Sequence, residues 1–588
     1  MGAPSRSIGK IRKTLADYSL RRFLRYAVQP WHWPLLAEMR RRKAREIALF
    51  GEQLASAIDG LTNEEVVARH VFRPWLASAP LVCPTPAAAP PISMPSDPEL
   101  RMRVDRLGWV LEQAVDSLPQ AWGGVAEWLK SRETAPDVCS DAYTRAERIA
   151  NLVMLCSLGD PPGELGERVR QVIRRDAGGL LGQIEYHGEL NTNNHVLNDA
   201  RALLIAGVFL GEGRFYRGGR FIFEHQLFRH VGPDGLLREA SSHYQLVITR
   251  WLLEVACVFR LQDRTLFERF RPVFEQSLAV CQAMFELGRG QGHMALIGDI
   301  SPDFPPDFYR GLPALGQRLF AGDHPPESGA QPGASFWQKY FGATAGSPTG
   351  DWLAGNGSWA SLNRDGWRLL LHADTAVTDP RATHGHHDLF SFDLSCDGLP
   401  LIVDPGRRNY ALARDAQGAG ILEEWHNTFM VDGVRTGFYP RGYMPAAWLE
   451  SFRPCPALVR DGDALRVALR DKLPAGVALI ERSFASEPEG GMRIVSTLVA
   501  SDAQPRSLRL VLHLAGEVEV GPQGARIAHG SARFLLAWHN LPEPTVQAAE
   551  RYVAYEQAEP CRRLEWLVPV VAPRWEAVFS ISREECLQ

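Results

Sequence analysis

Hydrophobic residues recur at helical spacing through the first half of the chain. Apolar side chains lie three or four positions apart in RIANLVMLCSL, NHVLNDARALLIAGVFL, SSHYQLVITRWLLEVACVFRL and FERFRPVFEQSLAVCQAMFEL, and Gly, Pro or Asp turns separate these blocks. The blocks follow one another at intervals of roughly 30 to 50 residues, which is the spacing of helix pairs stacked side by side. The pattern predicts an all-helical region from about residue 100 to residue 320.

Beyond residue 350 the apolar residues fall into short runs typical of β-strands. The runs are WRLLLHAD, LFSFDLSCDGLPLIVD, NTFMVDG, MRIVSTLVA, LRLVLHL and ARFLLAWH, and DG, GP and HG turns interrupt them. We expect antiparallel sheets packed face to face as a sandwich. Because helices precede strands instead of alternating with them, a doubly wound nucleotide-binding fold is excluded.

Two stretches without a regular pattern predict the domain boundaries. Residues 80–98 are rich in Pro and Ala, and residues 325–350 are rich in Gly, Pro and Ser. We therefore expect three parts. They are a basic N-terminal helical extension with a Pro-rich arm over 1–98, a helical domain over 99–335 and a β-sandwich over 350–588.

Composition narrows the class of protein. A chain of 588 residues suits two or more domains, and 45% hydrophobic with 22% charged residues is typical of folded globular proteins. The nine cysteines include no CxxC pair, which argues against a disulfide framework or a thiolate zinc site. A net charge of -4 gives no global field that would recruit nucleic acid, although a local basic cleft can still hold a polyanion.

The N-terminus is strongly basic. The first 46 residues carry twelve Lys and Arg against three Asp and Glu, with Trp31 and Trp33 nearby. This pattern is typical either of a solvated extension that packs on its own domain or of a segment that contacts an anionic membrane surface. No signal-peptide pattern is visible, so we expect a cytoplasmic protein, with the inner face of the membrane as a second possibility.

The first stretch that can carry chemistry is NTNNHVLNDARALL. Asn191, Asn193 and Asn194 precede a strongly apolar helix, and one Asn is enough to cap its first turn. A helix N-terminus also presents N–H donors to an anion. Capping and ligand binding both remain open for Asn194 and His195.

The second stretch is LLREASSHYQLV. Ser241 or Ser242 is expected to cap the following helix, which places Tyr244 in the first turn, near the mouth of the helical domain. Packing is the usual role of a single tyrosine, and catalysis is the alternative.

The third stretch is ATHGHHDLFSFDLSCDGLPLIVDPG with its continuation EEWHNTFMVDG. His384 and His386 are two positions apart on a predicted loop and strand, Asp404 closes the following strand, and His426 opens the next. Two imidazoles and a carboxylate are suitable zinc ligands and leave one position for water or a fourth ligand. A set of solvated loop histidines beside a plain turn is the competing interpretation.

Taken together, NNH, EASSHY, HGHHD...VDPG and WHNTFMVDG resemble the heparinase II/III-like polysaccharide lyases, a family that includes oligoalginate lyases. The resemblance covers roughly residues 100 to 580 in layout. It implies an N-terminal incomplete (α/α) toroid followed by a C-terminal antiparallel β-sandwich. It also implies a lyase that acts on an anionic, uronic-acid-containing polysaccharide, which suggests exopolysaccharide or capsule metabolism.

The resemblance implies a β-elimination with four catalytic residues. A base removes the C5 proton of a uronic acid once the adjacent carboxylate is neutralised, and Asn194 and His384 would neutralise it. Tyr244 would protonate the glycosidic oxygen and act as base for one C5 epimer, and His195 would be the base for the other.

Other positions follow from the same resemblance. Glu239 and Tyr410 match cleft residues of the family, and the metal ligands would be His386, Asp404 and His426 around a structural zinc ion. The family's usual glycine after the glutamate is Ala240 here, and the histidine that often follows the tyrosine is Gln245.

Tyr244 can act as a base at neutral pH only if its pKa is lowered, because an ordinary phenol has a pKa of about 10. Nearby positive charge would lower it. Arg238 and Arg408 are the candidates, and both would also contact an anionic substrate.

Two other functions stay open. The same scaffold could hydrolyse glycosides with paired carboxylates drawn from Glu239, Asp199 and Asp388. Alternatively, the protein could bind glycans without cleaving them, as part of a polysaccharide assembly machine. Products separate the three functions, because elimination leaves unsaturated ends, hydrolysis leaves saturated ends, and binding leaves the polymer intact.

Overall fold

A computed structural model describes most of the chain. The described residues are 32–60, 66–81, 95, 97–134, 140–189, 191–287, 292–320, 334–342, 350–373, 384–410, 420–434, 454–488 and 490–584. The first 31 residues and most of the Pro-rich arm lie outside them, and so does most of the segment for which membrane contact was predicted. Within the described ranges, no helix has both the length and the apolar character needed to span a bilayer.

The N-terminal part is helical, as predicted. The described residues form twelve α-helices: α1 His32–Asp59, α2 Pro98–Arg106, α3 Trp109–Asp116, α4 Leu118–Thr134, α5 Ala142–Leu158, α6 Leu165–Leu181, α7 His195–Leu210, α8 Gly213–His230, α9 Ser242–Gln262, α10 Arg264–Met284, α11 Leu312–Phe320 and α12 Phe336–Phe341. Helix α7 packs against α5 and α9, and α8 packs against both α7 and α1.

The inner helices are buried on all sides. Every residue of α7 from 196 to 210 is buried, as is every residue of α9 from 242 to 259. Their charged side chains are paired inside the protein, as Arg201 of α7 is with Glu254 of α9 at 2.9 Å. The first turns of α7 and α9 are therefore held firmly, and both carry predicted catalytic residues.

The C-terminal part is an all-antiparallel sandwich, also as predicted. Its strands are β1 Trp352–Leu353, β2 Trp359–Arg364, β3 Trp367–His372, β4 Phe392–Cys396, β5 Leu399–Ile402, β6 Phe429–Val431, β7 Ala457–Asp461, β8 Ala464–Leu469, β9 Val477–Ser486, β10 Met492–Ala500, β11 Arg506–Ala515, β12 Glu517–Gly521, β13 Gly524–His529, β14 Ala532–His539, β15 Thr545–Ala554, β16 Gln557–Val570 and β17 Arg574–Arg583. One sheet runs β1-β2-β3-β4-β5-β11-β16-β15 with β6 paired to β11, and the other runs β12-β13-β14-β17-β10-β9-β8-β7.

The helical part and the sandwich pack against each other. Side chains such as Leu508 and Phe579 fill the space between the two sheets. A second core fills the helical part and includes Trp359, Leu370 and Tyr555 from the sandwich. The helical part therefore rests on the sandwich, and the loops between them meet at the junction.

Two local features differ from the sequence pattern. Helix α12 lies inside the Gly- and Pro-rich stretch 325–350, where Ser335 and Gln338 form a capping box and Trp337 is buried in the helical core. The segment from His384 to Ser391 is irregular, and β4 begins only at Phe392. The predicted loop and strand are therefore a loop as far as Ser391 and then β4, and the loop backbone bonds to the helical part, through Asp299 N–H to the His384 carbonyl at 2.9 Å.

Candidate active site

The start of α9 positions Tyr244. Ser241 is the N-cap, and its Oγ accepts the Tyr244 N–H at 3.1 Å while donating to the Asp299 carbonyl at 2.7 Å. Tyr244 is 5% exposed. The predicted cap is confirmed, and it fixes the tyrosine at the junction of the two parts.

Three predicted residues meet at this point. The rings of Tyr244 and His384 stack with centroids 3.6 Å apart and planes 10° from parallel. The hydroxyls of Tyr244 and Tyr410 are 2.6 Å apart. Because the Tyr410 hydroxyl donates to the Ile300 carbonyl at 3.1 Å, the Tyr244 hydroxyl is the donor to Tyr410.

The expected lowering of the Tyr244 pKa is not seen. Burial raises the pKa of Tyr244 well above its usual value, and the same cause raises the pKa of Tyr410. Arg238 is exposed, and Arg408 forms an ion pair with Glu556 at 2.8 Å with its side chain 54% exposed. The structure therefore does not bring the two predicted arginines to the phenol.

Asp299, which no sequence motif indicated, connects the helical part to the sandwich. Its carboxylate lies 3.2 Å from His384 Nδ1, 2.9 Å from His386 Nε2 and 3.0 Å from Arg407 Nη1. Burial alone would raise the pKa of Asp299, but these hydrogen bonds and the charge of Arg407 hold it well below its usual range. The only sign in the sequence was an acidic residue at the end of the apolar run MALIGD.

Asn194 does not cap its helix with its side chain. Its backbone N–H donates to Glu239 Oε1 at 3.0 Å and its Nδ2 to Glu239 Oε2 at 2.8 Å. The Glu239 carboxylate also lies 3.4 Å from His384 Nε2. The buried Asn194 Oδ1 has no hydrogen-bond partner among the described residues, so this amide still has a free acceptor at the site.

His195 follows directly and stands at the edge of the cleft. Its side chain is 31% exposed, and its Nδ1 lies 3.1 Å from Glu185 Oε2. Its ring packs against Tyr143 at a centroid distance of 4.6 Å. The structure thus groups Asn194 and His195 with Tyr244 and His384, since Glu239 connects Asn194 to His384.

The three predicted metal ligands do not converge on one point. His386 faces Asp299, whereas His426 Nδ1 lies 3.0 and 3.1 Å from the two carboxylate oxygens of Asp404. The rings of His386 and His426 are 5.2 Å apart. In the described part of the chain, no three His, Cys, Asp or Glu side chains are grouped so that they could hold one metal ion. The buried nitrogens His386 Nδ1 and His426 Nε2 have no hydrogen-bond partner among the described residues, and the structural zinc ion stays a prediction.

The carboxylates considered for hydrolysis are engaged inside the protein. Glu239 binds Asn194, Asp199 accepts the Glu185 N–H at 2.8 Å, and Asp388 lies 2.6 Å from His372 Nδ1. All three carboxylates are buried. They do not form a pair that flanks an open cleft, as glycoside hydrolysis needs.

Known proteins resemble this chain in its C-terminal part and in its fold. Residues 346–553 match the family model of the heparinase II/III-like C-terminal domain. No curated protein sequence is similar enough to count as a relative. A solved heparinase III is 13% identical, with a TM-score of 0.58 over 82% of this chain and 76% of its own.

A heparan sulfate lyase, HepC from Pedobacter heparinus, has the same fold. It is 12% identical, with a TM-score of 0.55 over 84% of this chain and 78% of its own. Fold likeness at this identity supports the predicted toroid followed by a sandwich. Residues 346–553 are therefore similar to the C-terminal domain of the heparinase II/III-like family, and the chain shares the fold of heparinase III.

Proposed function

We propose that the protein is a polysaccharide lyase that cleaves a uronic-acid-containing anionic polysaccharide by β-elimination. The observation that carries the proposal is the contact of Tyr244, from the helical part, with His384 and Tyr410, from the sandwich. A buried phenol, two imidazoles and an amide are the kinds of group that this reaction needs. The activities of heparinase III and HepC agree with the proposal but belong to those proteins.

The raised pKa of Tyr244 suits a general acid. The phenol keeps its proton at neutral pH and can deliver it to the glycosidic oxygen as the C4–O bond breaks. We expect Asn194 and His384 to bind the uronate carboxylate, so that negative charge developing next to C5 is stabilised. The pair of electrons from the C5–H bond then forms the new C4=C5 double bond.

Removal of the Tyr244 hydroxyl tests the proposal. Tyr244→Phe should lower the rate at which unsaturated ends form by about 10²- to 10⁴-fold, which is the usual share of general acid–base catalysis. The measurement is the absorbance of unsaturated uronate with alginate, heparan, hyaluronan and bacterial exopolysaccharides. Tyr309→Phe is the matched control, because Tyr309 is also buried in the helical part and its hydroxyl has no hydrogen-bond partner among the described residues.

Two outcomes would contradict the proposal. Retained activity in Tyr244→Phe would remove the assigned acid, and saturated ends from the unaltered protein would indicate hydrolysis. A role in exopolysaccharide or capsule metabolism, a cytoplasmic location and a structural zinc ion remain predictions. Cell fractionation tests the location, and metal analysis of the purified protein tests the zinc ion.

A further inference from the structure

The loop before α7 holds a carboxylate against the imidazole of His195. We propose that Glu185 is a positioning residue for His195, which it holds as the Nδ1–H tautomer with Nε2 turned toward substrate. The proposal rests on the proposed lyase function, in which His195 is the base for one C5 epimer. Nothing in the sequence pattern indicated Glu185.

Two contacts restrain the His195 imidazole, one at its Nδ1 edge and one on its ring face. Glu185 Oε2 lies 3.1 Å from His195 Nδ1, and the two side chains are 26% and 31% exposed, so the pair is partly open to solvent. The ring of Tyr143 packs against the imidazole, and the Tyr143 hydroxyl donates to Asp303 at 2.6 Å. A ring restrained in this way has little freedom to turn.

Glu185 is itself anchored by the helix that carries His195. Its backbone N–H donates to Asp199 Oδ2 at 2.8 Å, and Asp199 is fully buried on α7, one turn after His195. The histidine and the backbone of its partner are therefore fixed to the same helix.

Ring stacking and hydrogen bonds also fix the rest of the loop. The neighbouring Tyr186 ring stacks on Phe50 of α1 at 3.9 Å and 16°. Thr192 Oγ1 accepts the His187 N–H at 2.9 Å and donates to the Gly188 carbonyl at 2.7 Å. Glu185 is therefore part of an ordered loop rather than a solvated surface carboxylate.

The chemistry follows from the tautomer. A carboxylate accepts a hydrogen bond from Nδ1–H, so the neutral ring keeps its proton on Nδ1 and its lone pair on Nε2. When the C5–H bond breaks, the proton goes to Nε2 and its electron pair forms the C4=C5 double bond. The C4–O bond breaks at the same time, and the departing oxygen takes the proton of Tyr244. The imidazolium formed at His195 is then stabilised by the negative charge of Glu185.

The kinetic test compares two carboxylates of the same loop. Glu185→Gln keeps the shape but removes the charge, and it should lower kcat by about 10- to 100-fold on the epimer for which His195 is the base. KM should stay within about twofold, and Glu185→Asp should recover part of the rate. Glu189→Gln is the control, because Glu189 pairs with Arg229 instead.

The substrates for this test are alginate blocks of mannuronate or guluronate, and heparan-type polymers of glucuronate or iduronate. The other epimer, whose C5 proton is not removed by His195, should be cleaved at nearly the unaltered rate. Equal losses on both epimers would indicate a structural defect and overturn the positioning role, as would an unchanged kcat.

A measurement without turnover separates this proposal from the lyase function. In protein labelled with ¹⁵N-histidine, the His195 signal is assigned by its loss in His195→Gln. It should show the Nδ1–H tautomer in the unaltered protein and a shift toward Nε2–H in Glu185→Ala. An Nε2–H tautomer in the unaltered protein would overturn the positioning role, whereas failure of every polymer to yield unsaturated ends would overturn the lyase function alone.

Discussion

Burial and the contact with Tyr410 act in opposite directions on the pKa of Tyr244. Burial raises its pKa, and Tyr410 lowers the pKa by a smaller amount, because the Tyr410 hydroxyl can turn to donate a hydrogen bond to the ionised Tyr244 oxygen. Tyr410→Phe removes the smaller influence and should make Tyr244 a weaker acid. We expect kcat to fall by about three- to tenfold, equivalent to a hydrogen bond of about 1 kcal/mol, with little change in KM. Initial rates of unsaturated-end formation measure this effect, and a kcat equal to that of Tyr309→Phe would contradict it.

Ala240 shows why its family position is usually glycine. Its φ is +53°, a left-handed conformation that costs an L-residue about 1–2 kcal/mol. Ala240→Gly should therefore raise the free energy of unfolding by about 0.5–1 kcal/mol, after the larger entropy of glycine in the unfolded chain is counted. Denaturant unfolding measures the change. A loss of stability would mean that the Ala240 methyl group, which lies beside Gly385, contributes packing that outweighs the strain.

At the level of residues, sequence motifs identified the aromatic, imidazole and amide side chains of the site but not the carboxylates that bind to them. Tyr244, His384 and Asn194 were recognisable because each stands in a short, distinctive string of residues. Asp299 and Glu185 were not, since a single carboxylate in a loop has no local signature and acquires its role only through distant contacts. The pKa of Tyr244 was wrongly expected to be lowered, because the depth of burial cannot be read from a helix's first turn.

The segment Ile297–Asp299 joins the two parts of the protein. The Ser242 N–H donates to the Ile297 carbonyl at 2.9 Å, and the Asp299 N–H donates to the His384 carbonyl at 2.9 Å. Gly298 lies between them with φ +88°, and a Cβ there would come within 2.7 Å of the Ala240 carbonyl oxygen. The segment therefore requires glycine at this position.

Gly298→Ala should disturb both stability and activity. The methyl group cannot fit without moving Asp299 away from the two histidines, so we expect a loss of more than about 2 kcal/mol and at least a tenfold fall in kcat. Thermal unfolding and initial rates measure the two effects. Gly178→Ala is the control, because that exposed glycine of α6 has open space around its Cβ position and alanine should stabilise the helix by about 0.5–1 kcal/mol. Equal behaviour of the two variants would contradict the prediction.

At the level of elements, periodicity predicted the long helices and the sheet strands. Helices α7 and α9 and strands β3, β10 and β11 lie where the apolar pattern placed them, because their burial is continuous along the sequence. Helix α12 was missed, since six residues are too few to show a helical period and its flanks are rich in Gly and Pro. The apolar pattern did not show where the loop that carries His384 would bind, because its backbone partner, Asp299, belongs to a distant loop of the helical part.

The molecule as a whole should unfold in one step. Trp359, Leu370 and Tyr555 of the sandwich belong to the core of the helical part, so neither part can lose its packing alone. We expect helical and near-ultraviolet circular dichroism signals to change at the same temperature. Trp359→Ala should lower both midpoints together, at a cost of about 3–5 kcal/mol. Two separated transitions in the unaltered protein would contradict this expectation.

The stacking of Tyr244 on His384 has a consequence for the timing of synthesis. The phenol is made well before the imidazole that lies against it, and the sheet beside the imidazole also needs β11, β15 and β16, which follow much later in the chain. A chain that has been made only as far as the helical part therefore holds the phenol without the imidazole. If the proposed function is right, we expect no cleavage of polymer until the sandwich has folded.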